Sequence, residues 1–406
     1  MSNYNHLYSK TATSVKASAI RELLKIIARP EIISFAGGLP DPNLFPRQEI
    51  AQVLQDVIKN HSTESLQYGT TEGQKILKEE LIKLTRETEG IDLKPENLLV
   101  VSASQQGLDM CSRIFLNRGD AIITASPTYL GGLQAFEAAG AQVYGADSDE
   151  FGLTVTGLEK CLKELQAAGK LCKFIYIVPD FQNPTGTTVP QERRVEILKL
   201  AEKYNTLILE DSPYRQVRFE GKAPDTFLKL DGGKGRVITL FTFSKVFVPG
   251  FRLGYVVGPA DVIQHCVILK QAMDLCTSPF LQLAAAEYLR GGYLQKHICD
   301  IVEMYGKKRD FMLQMLEKYM PQGVKWTRPE GGLFLWVTVP EKIDTQKMLT
   351  LAVQEQQVAY VAGFDFYPPR NARRNDLRLN FSYSSFEQIE QGVQRLAATI
   401  KKCLDK

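Results

Sequence analysis

The chain has 406 residues, of which 44% are hydrophobic and 23% charged, and a formal net charge of +3. This length suits two domains of about 100–200 residues each, and the small net charge gives no electrostatic reason to expect nucleic acid or an anionic membrane as partner. No apolar stretch approaches the roughly 18 residues needed to span a bilayer.

The first residues, Met1-Ser2-Asn3-Tyr4-Asn5-His6, lack the apolar core of a signal peptide. The seven cysteines are odd in number, scattered and never spaced Cys-x-x-Cys, and the four histidines are similarly dispersed. The expectation is reduced thiols in a cytoplasmic protein, with neither a disulfide frame nor a metal site.

In chain order, residues 1–33 read as an irregular arm followed by a helix over 18–27, with Arg21 in its first turns. The loop Phe35-Ala36-Gly37-Gly38-Leu39-Pro40 follows. Paired glycines let a backbone approach a ligand closely, but they also serve any tight turn, and alone the loop reads as a turn. From about residue 48, strand and helix patterns alternate. Short apolar runs lie at 98–101, 121–124, 142–144, 174–178, 207–209 and 237–241. Between them, Leu158, Cys161, Leu162 and Leu165 keep helical spacing, as do Ile197, Leu200, Ala201 and Tyr204. Such alternation predicts an α/β fold with a mostly parallel sheet covered by helices on both faces. Ligands then sit beyond the carboxyl ends of the strands. After about residue 280 a long helical stretch to 319 is interrupted near Gly291-Gly292. Strand signals at 333–339 and 377–381 and helices near 345–354 and up to 403 then predict a smaller α+β domain.

The chemistry-bearing residues fall just after the predicted strands. Behind 98–101, Ser102-Ala103-Ser104-Gln105 opens a helix whose N–H groups and Ser104 hydroxyl form an anion site, although Ser is also a common cap. Behind 121–124 comes Tyr129, an aromatic face suited to core packing or to stacking on a ring. Asn183 lies in the turn Asn183-Pro184-Thr185-Gly186. In Glu210-Asp211-Ser212-Pro213-Tyr214, the Asp could keep a pyridine nitrogen protonated, and Tyr214 and Asn183 could hydrogen-bond a phenolic oxygen on the same ring. The stretch Thr242-Phe243-Ser244-Lys245, with Arg252 after it, lies between two apolar runs. A desolvated lysine there can form a Schiff base with a carbonyl, and the hydroxyls and the arginine fork suit a phosphate. An aldehyde-bearing phosphorylated cofactor, pyridoxal 5'-phosphate (PLP), answers to this set. A surface Lys and Arg flanking a hairpin is the plainer reading of that stretch alone.

The order and spacing of Asn183, Asp211-x-x-Tyr214, Lys245 and Arg252 resemble the signature of fold-type I PLP-dependent aminotransferases of classes I and II. The resemblance runs from Phe35–Pro40 to Arg378-Leu379-Asn380-Phe381. It implies an N-terminal arm and helix over 1–45 packing over the active site and the small domain, a large PLP-binding domain over 46–290 and a small C-terminal domain over 291–406. It further implies that Lys245 carries the cofactor and, once freed, shuttles the proton. Asp211 would pair with the ring nitrogen, Asn183 and Tyr214 with the phenolic oxygen, and Tyr129 would stack on the ring. Ser104, Gln105, Thr242, Ser244 and Arg252 would hold the phosphate, with Tyr68 reaching the phosphate of a partner subunit in a homodimer. Arg378 would take the substrate α-carboxylate, assisted by Gly38 and Asn183. Thr242 stands where the family often has Ser, which keeps the hydroxyl.

The stretch Ala17-Ser18-Ala19-Ile20-Arg21-Glu22 followed by 35–40 looks like the 2-aminoadipate aminotransferase subgroup, whose members also accept Glu, Leu and aromatic or kynurenine-type amino acids. Arg21 would then meet a distal carboxylate with Ser18 nearby, or else be a solvated helix residue. The expected reaction moves an amino group from an L-amino acid to a 2-oxo acid such as 2-oxoglutarate. Two rivals remain open. One is β-elimination or Cα–Cβ cleavage on the same scaffold. The other is a regulator using this fold as a ligand sensor, which would need a winged-helix domain ahead of it; the resemblance starts by about residue 14.

Overall fold

The computed structural model describes residues 4–14, 29, 31–368 and 372–405. The predicted helix over 18–27, with Ser18 and Arg21, lies outside the described residues.

An eight-stranded sheet occupies the chain between 98 and 257. In spatial order its strands are Leu98–Val101, Gly254–Val257, Val237–Thr242, Leu207–Ser212, Cys172–Ile177, Ala121–Ser126, Gln142–Asp149 and Gly152–Leu153. The five strands from Val237–Thr242 to Gln142–Asp149 are mutually parallel. Gly254–Val257 runs antiparallel to both its neighbours, and Gly152–Leu153 closes a hairpin. The central strands carry near-continuous apolar runs because both faces are covered. Ile122, Tyr176, Leu209 and Leu240 enter one core cluster, whereas Ile123, Ile175, Ile208 and Val237 enter the other. The helix Ala103–Phe115 feeds the first cluster through Leu108 and Cys111. Val155–Ala167 and Gln191–Lys203 feed the second through the residues whose helical spacing was evident in the sequence, Leu158, Cys161, Leu162, Ile197 and Ala201.

The strands extend further than their apolar runs. Asp211, read from the sequence as following a strand, lies within Leu207–Ser212, because pairing carries on as Asp211 opposite Leu240 and Ser212 opposite Phe241. Backbone pairing does not depend on side-chain polarity, so the apolar run understates the strand.

The remainder of the chain builds a four-stranded antiparallel sheet, Lys325–Trp326, Phe334–Thr338, Asp376–Asn380 and Val361–Ala362. It is accompanied by the helices Tyr293–Tyr319 and Phe386–Leu404. The helical stretch breaks where the sequence predicts, with Gly292 at φ +69° between Pro279–Arg290 and Tyr293–Tyr319. A further pairing reaches across the chain, for Ile33–Ser34 lies parallel to Val358–Ala359. Residues 35–41 therefore leave this C-terminal unit and pass toward the carboxyl ends of the large sheet.

The turn expected at Gly37-Gly38 is not formed, and neither glycine has a positive φ. What glycine permits here is close approach: a Cβ on Gly38 would stand 3.0 Å from the Phe334 ring.

Candidate active site

At the carboxyl ends of the parallel strands lies a cavity of about 680 Å³. It is lined by Gly38, Ser104, Gln105, Tyr129, Asn183, Asp211, Tyr214, Thr242, Ser244, Lys245, Arg252 and Arg378, together with Phe334. The fold thus gathers almost every residue singled out in the sequence. The exceptions are Ser18 and Arg21, which are not described, and Tyr68, which is 79% exposed just beyond the helix Ser62–Leu66 and does not line the cavity of its own chain.

Lys245 follows the strand Val237–Thr242 and is half-buried. Its Nζ donates to the Gly38 carbonyl at 2.7 Å. Burial, reinforced by the positive charges of Arg378 and Arg252, lowers its pKa to about 8. At pH 7.5 about one such amine in four is neutral, against roughly one in eight hundred for an ordinary lysine. This is the reactive form for a nucleophile or a base.

Asp211 is 1% exposed. Oδ2 accepts from the Tyr176 hydroxyl at 2.9 Å, while Oδ1 has no hydrogen-bond partner among the described residues. Burial raises the pKa to about 7 even though the Tyr176 hydrogen bond works the other way. Such an oxygen lacks a positively charged N–H donor. Tyr214 is buried as well, which raises its pKa well above the usual phenol value, while a hydrogen bond with Asn183 opposes the shift.

Arg378 sits on Asp376–Asn380 and is 1% exposed. It donates from Nη1 to Asn183 Oδ1 at 2.8 Å and from Nη2 to the Ala36 carbonyl at 2.6 Å. Its guanidinium lies 4.2 Å from the Phe334 ring centroid and 5.2 Å from that of Phe366. Among the described residues Nε has no partner, and none of the hydrogen-bonding partners carries a negative charge. Burial lowers its pKa to about 10. A buried cation held only by neutral acceptors is a receptor for an anion, and its fork suits a carboxylate.

On the opposite side, Thr242 donates to Ser244 Oγ at 3.0 Å, and Arg252 Nη1 donates to the same oxygen at 3.3 Å. The helix Ala103–Phe115 begins beside them and places Ser104 in its first turn. Ser102, its cap, makes no side-chain capping bond. These hydroxyls, the exposed Arg252 and the helix N-terminus form an anion cradle. Tyr129 precedes the helix Leu130–Ala138, and a Cβ on Gly131 would stand 2.6 Å from its ring, so only glycine lets the ring fold back there. Gln105 donates to the Gly131 carbonyl at 3.0 Å, tying the two helix starts together.

An anion cradle, an amine, a flat aromatic face and a buried acid with a bare oxygen fit a phosphorylated pyridoxal. Two residues of this site carried no signal in the sequence reading. Tyr176 and Phe334 lie inside apolar strand runs and look like core until register sets one against Asp211 and the other beneath Arg378. Among the described residues no group of His, Cys, Asp and Glu could hold a metal ion.

A family model described as "Aminotransferase class I and II" matches residues 31–396. An aromatic-amino-acid aminotransferase of Thermococcus litoralis is 44% identical, over 100% of this chain and 96% of its own. The crystal structure of a multiple substrate aminotransferase from Thermococcus profundus superposes with a TM-score of 0.95 at 43% identity, covering 99% of each chain. That of an alpha-aminoadipate aminotransferase from Thermus thermophilus, complexed with N-(5'-phosphopyridoxyl)-L-leucine, gives 0.90 at 32% identity and again covers 99% of each.

Proposed function

Because this chain belongs to the class I and II aminotransferases, and is therefore a PLP-dependent transaminase, we propose the following roles for its residues and the substrates they serve. The carrying observation is one cavity that holds an amine of lowered pKa, a buried acid with an unpartnered oxygen and a buried arginine without a carboxylate partner.

When bound, PLP supplies the aldehyde carbon that takes the amino group and a ring that withdraws electrons from Cα. Arg378 holds the α-carboxylate of the amino acid by its fork, and Asn183 and the Ala36 carbonyl fix the plane of that fork. Asp211 would keep a proton on the ring nitrogen through Oδ1, with Tyr176 orienting the carboxyl from the other oxygen. Asn183 and Tyr214 would hydrogen-bond the phenolic oxygen, and Tyr129 would lie against the ring. Ser104, Gln105, Thr242, Ser244 and Arg252 would hold the phosphate. Lys245 would anchor the cofactor through Nζ and, once freed as a neutral amine, would act as the base that takes the proton from Cα and then gives it up again. Reversing these steps on a 2-oxo acid completes a ping-pong cycle.

The donors we propose are L-2-aminoadipate, L-glutamate and aromatic or branched-chain amino acids, with 2-oxoglutarate as acceptor and Arg21 and Ser18 receiving a distal carboxylate. Aromatic and aminoadipate activities among the relatives support this range. We further take the enzyme to be a cytoplasmic homodimer in which Tyr68 reaches the partner's phosphate; the exposure of Tyr68 and of nearby Leu66, at 79% and 71%, supports a second copy here. Seven cysteines outside any disulfide are consistent with that compartment, and no helix among the described residues is long and apolar enough to cross a membrane. We also propose the division at about 45 and 290; the separate sheets and the helix break at Gly292 support the second boundary.

Adding L-2-aminoadipate, L-glutamate, L-leucine, L-phenylalanine or L-kynurenine singly to purified enzyme, without an oxo acid, tests this directly. The PLP absorption band should give way to the pyridoxamine band. If aminoadipate and glutamate lead, Arg21 gains support. If only apolar donors work, the distal-carboxylate role fails. A protein that PLP cannot reconstitute would overturn the whole assignment.

A further inference from the structure

Two cations of the cavity, the buried Arg378 and the half-buried Lys245, are held by one short backbone segment. The Ala36 carbonyl accepts from Arg378 at 2.6 Å and the Gly38 carbonyl from Lys245 at 2.7 Å. Residues 35–41 form no helix or strand, so the position of those carbonyls must be fixed from outside the segment. The Phe35 N–H donates to the Ala359 carbonyl at 2.8 Å, and four further contacts reach along the segment. The Phe35 carbonyl accepts from the Asn380 N–H at 2.9 Å, and the Leu39 carbonyl from the Ser382 hydroxyl at 2.9 Å. The Asp41 N–H donates to the Tyr305 hydroxyl at 3.0 Å, and Asp41 Oδ2 accepts from Lys308 Nζ at 2.7 Å.

Tyr305 and Lys308 are three residues apart on the helix Tyr293–Tyr319 and therefore share a face. Lys308 also donates to the Ser382 carbonyl at 2.9 Å. One ammonium thus joins the segment to the chain that continues from Arg378. The pair is enclosed, with side-chain exposures of 4% for Lys308 and 9% for Asp41. Burying two charges costs desolvation that an apolar pair would avoid, and the best-attested use of such a pair is to specify register.

We propose that the buried Lys308–Asp41 pair is a positioning device for the active site, holding residues 37–40 so that one backbone meets Lys245 and Arg378 together. The proposal rests on the aminotransferase reading of the cavity. Lys308 touches neither cofactor nor substrate; it acts through Asp41. Loosening the segment frees the Arg378 fork, which weakens the hold on the donor carboxylate. It also removes an acceptor that favours the protonated Lys245, whose amine otherwise faces Arg378 and Arg252 on one hand and Asp211, Tyr129 and Tyr214 on the other.

The test uses Lys308→Met, Asp41→Asn, which keeps the Oδ1 acceptor for the Asn43 N–H, and Tyr305→Phe, which deletes only one acceptor. Each is compared with wild type in KM and kcat, and in the pH midpoint at which cofactor-free enzyme captures added PLP. Lys308→Met and Asp41→Asn should each raise the donor KM about tenfold with little change in kcat, and lower the capture midpoint by about one pH unit. Tyr305→Phe should move both the same way by less. The double variant should be no worse than the worse single one, because the pair acts as a unit. Variants that only melt earlier, with KM and midpoint unchanged, would reduce the pair to a structural role and overturn the proposal. Capture needs no turnover, so a wild type that fails to transaminate would sink the function while leaving this comparison readable.

Discussion

Asp211 should oppose stability in the cofactor-free enzyme while serving function, and Asp211→Asn separates the two effects. In the fold its pKa is about 7, raised chiefly by burial, whereas an unfolded Asp titrates near pH 3.9. A carboxyl raised in the folded state favours folding while it stays protonated, and the penalty appears as pH climbs. Below about pH 4 there is none. Between about pH 4 and 7 it grows by roughly 1.4 kcal/mol per pH unit, and above 7 it levels near 4 kcal/mol. Asn cannot ionise and still accepts from Tyr176, so it escapes the penalty. For a chain of this size that corresponds to about 5 °C. Thermal melts of cofactor-free wild type and Asp211→Asn at pH 4.5 and pH 8 provide the assay. The variant should gain about 4 °C on wild type between the two conditions, because about 1 kcal/mol of the penalty is already present at pH 4.5, and should bind PLP more weakly and turn over at least a hundredfold more slowly. A melting difference that does not change with pH would refute the argument that Asp211 is buried as a titrating acid.

Lys245→Ala should abolish the PLP absorption band and cost at least about a thousandfold in rate; the spectrum and single-turnover kinetics report it. Arg378→Lys keeps the charge but loses the fork, so the donor KM should rise by roughly thirtyfold to a hundredfold while kcat changes less, as steady-state kinetics would show. The capture of PLP by cofactor-free wild type should quicken with rising pH and level off above about 8, because the neutral amine reacts and Lys245 titrates there. A midpoint near 10 in stopped-flow absorbance would show an unburied lysine.

The order of elements and the candidate chemistry of the strand ends can be read from the chain without its fold. The strand Leu98–Val101 and the helical spacing at Leu158–Leu165 follow from short-range periodicity, which burial imposes residue by residue. Lys245, Asp211, Asn183 and Arg252 were legible because each residue type follows an apolar run where an α/β sheet exposes its ligand side. The tertiary structure alone decided who meets whom. Arg378 reaches Asn183 across 195 positions, Lys245 reaches Gly38 across 207, and Lys308 reaches Asp41 across 267. No local pattern encodes such pairs; strand register and the packing of one unit on the other set them. The same holds for Tyr176. Its strand pairs with Leu207–Ser212 so that Tyr176 stands opposite Leu209, two residues before Asp211 and on the same face. Nor could the chain show why Gly38 is glycine. Locally the pair Gly37-Gly38 suggests a turn, and only the folded molecule reveals the Phe334 ring that a Cβ would crowd at 3.0 Å.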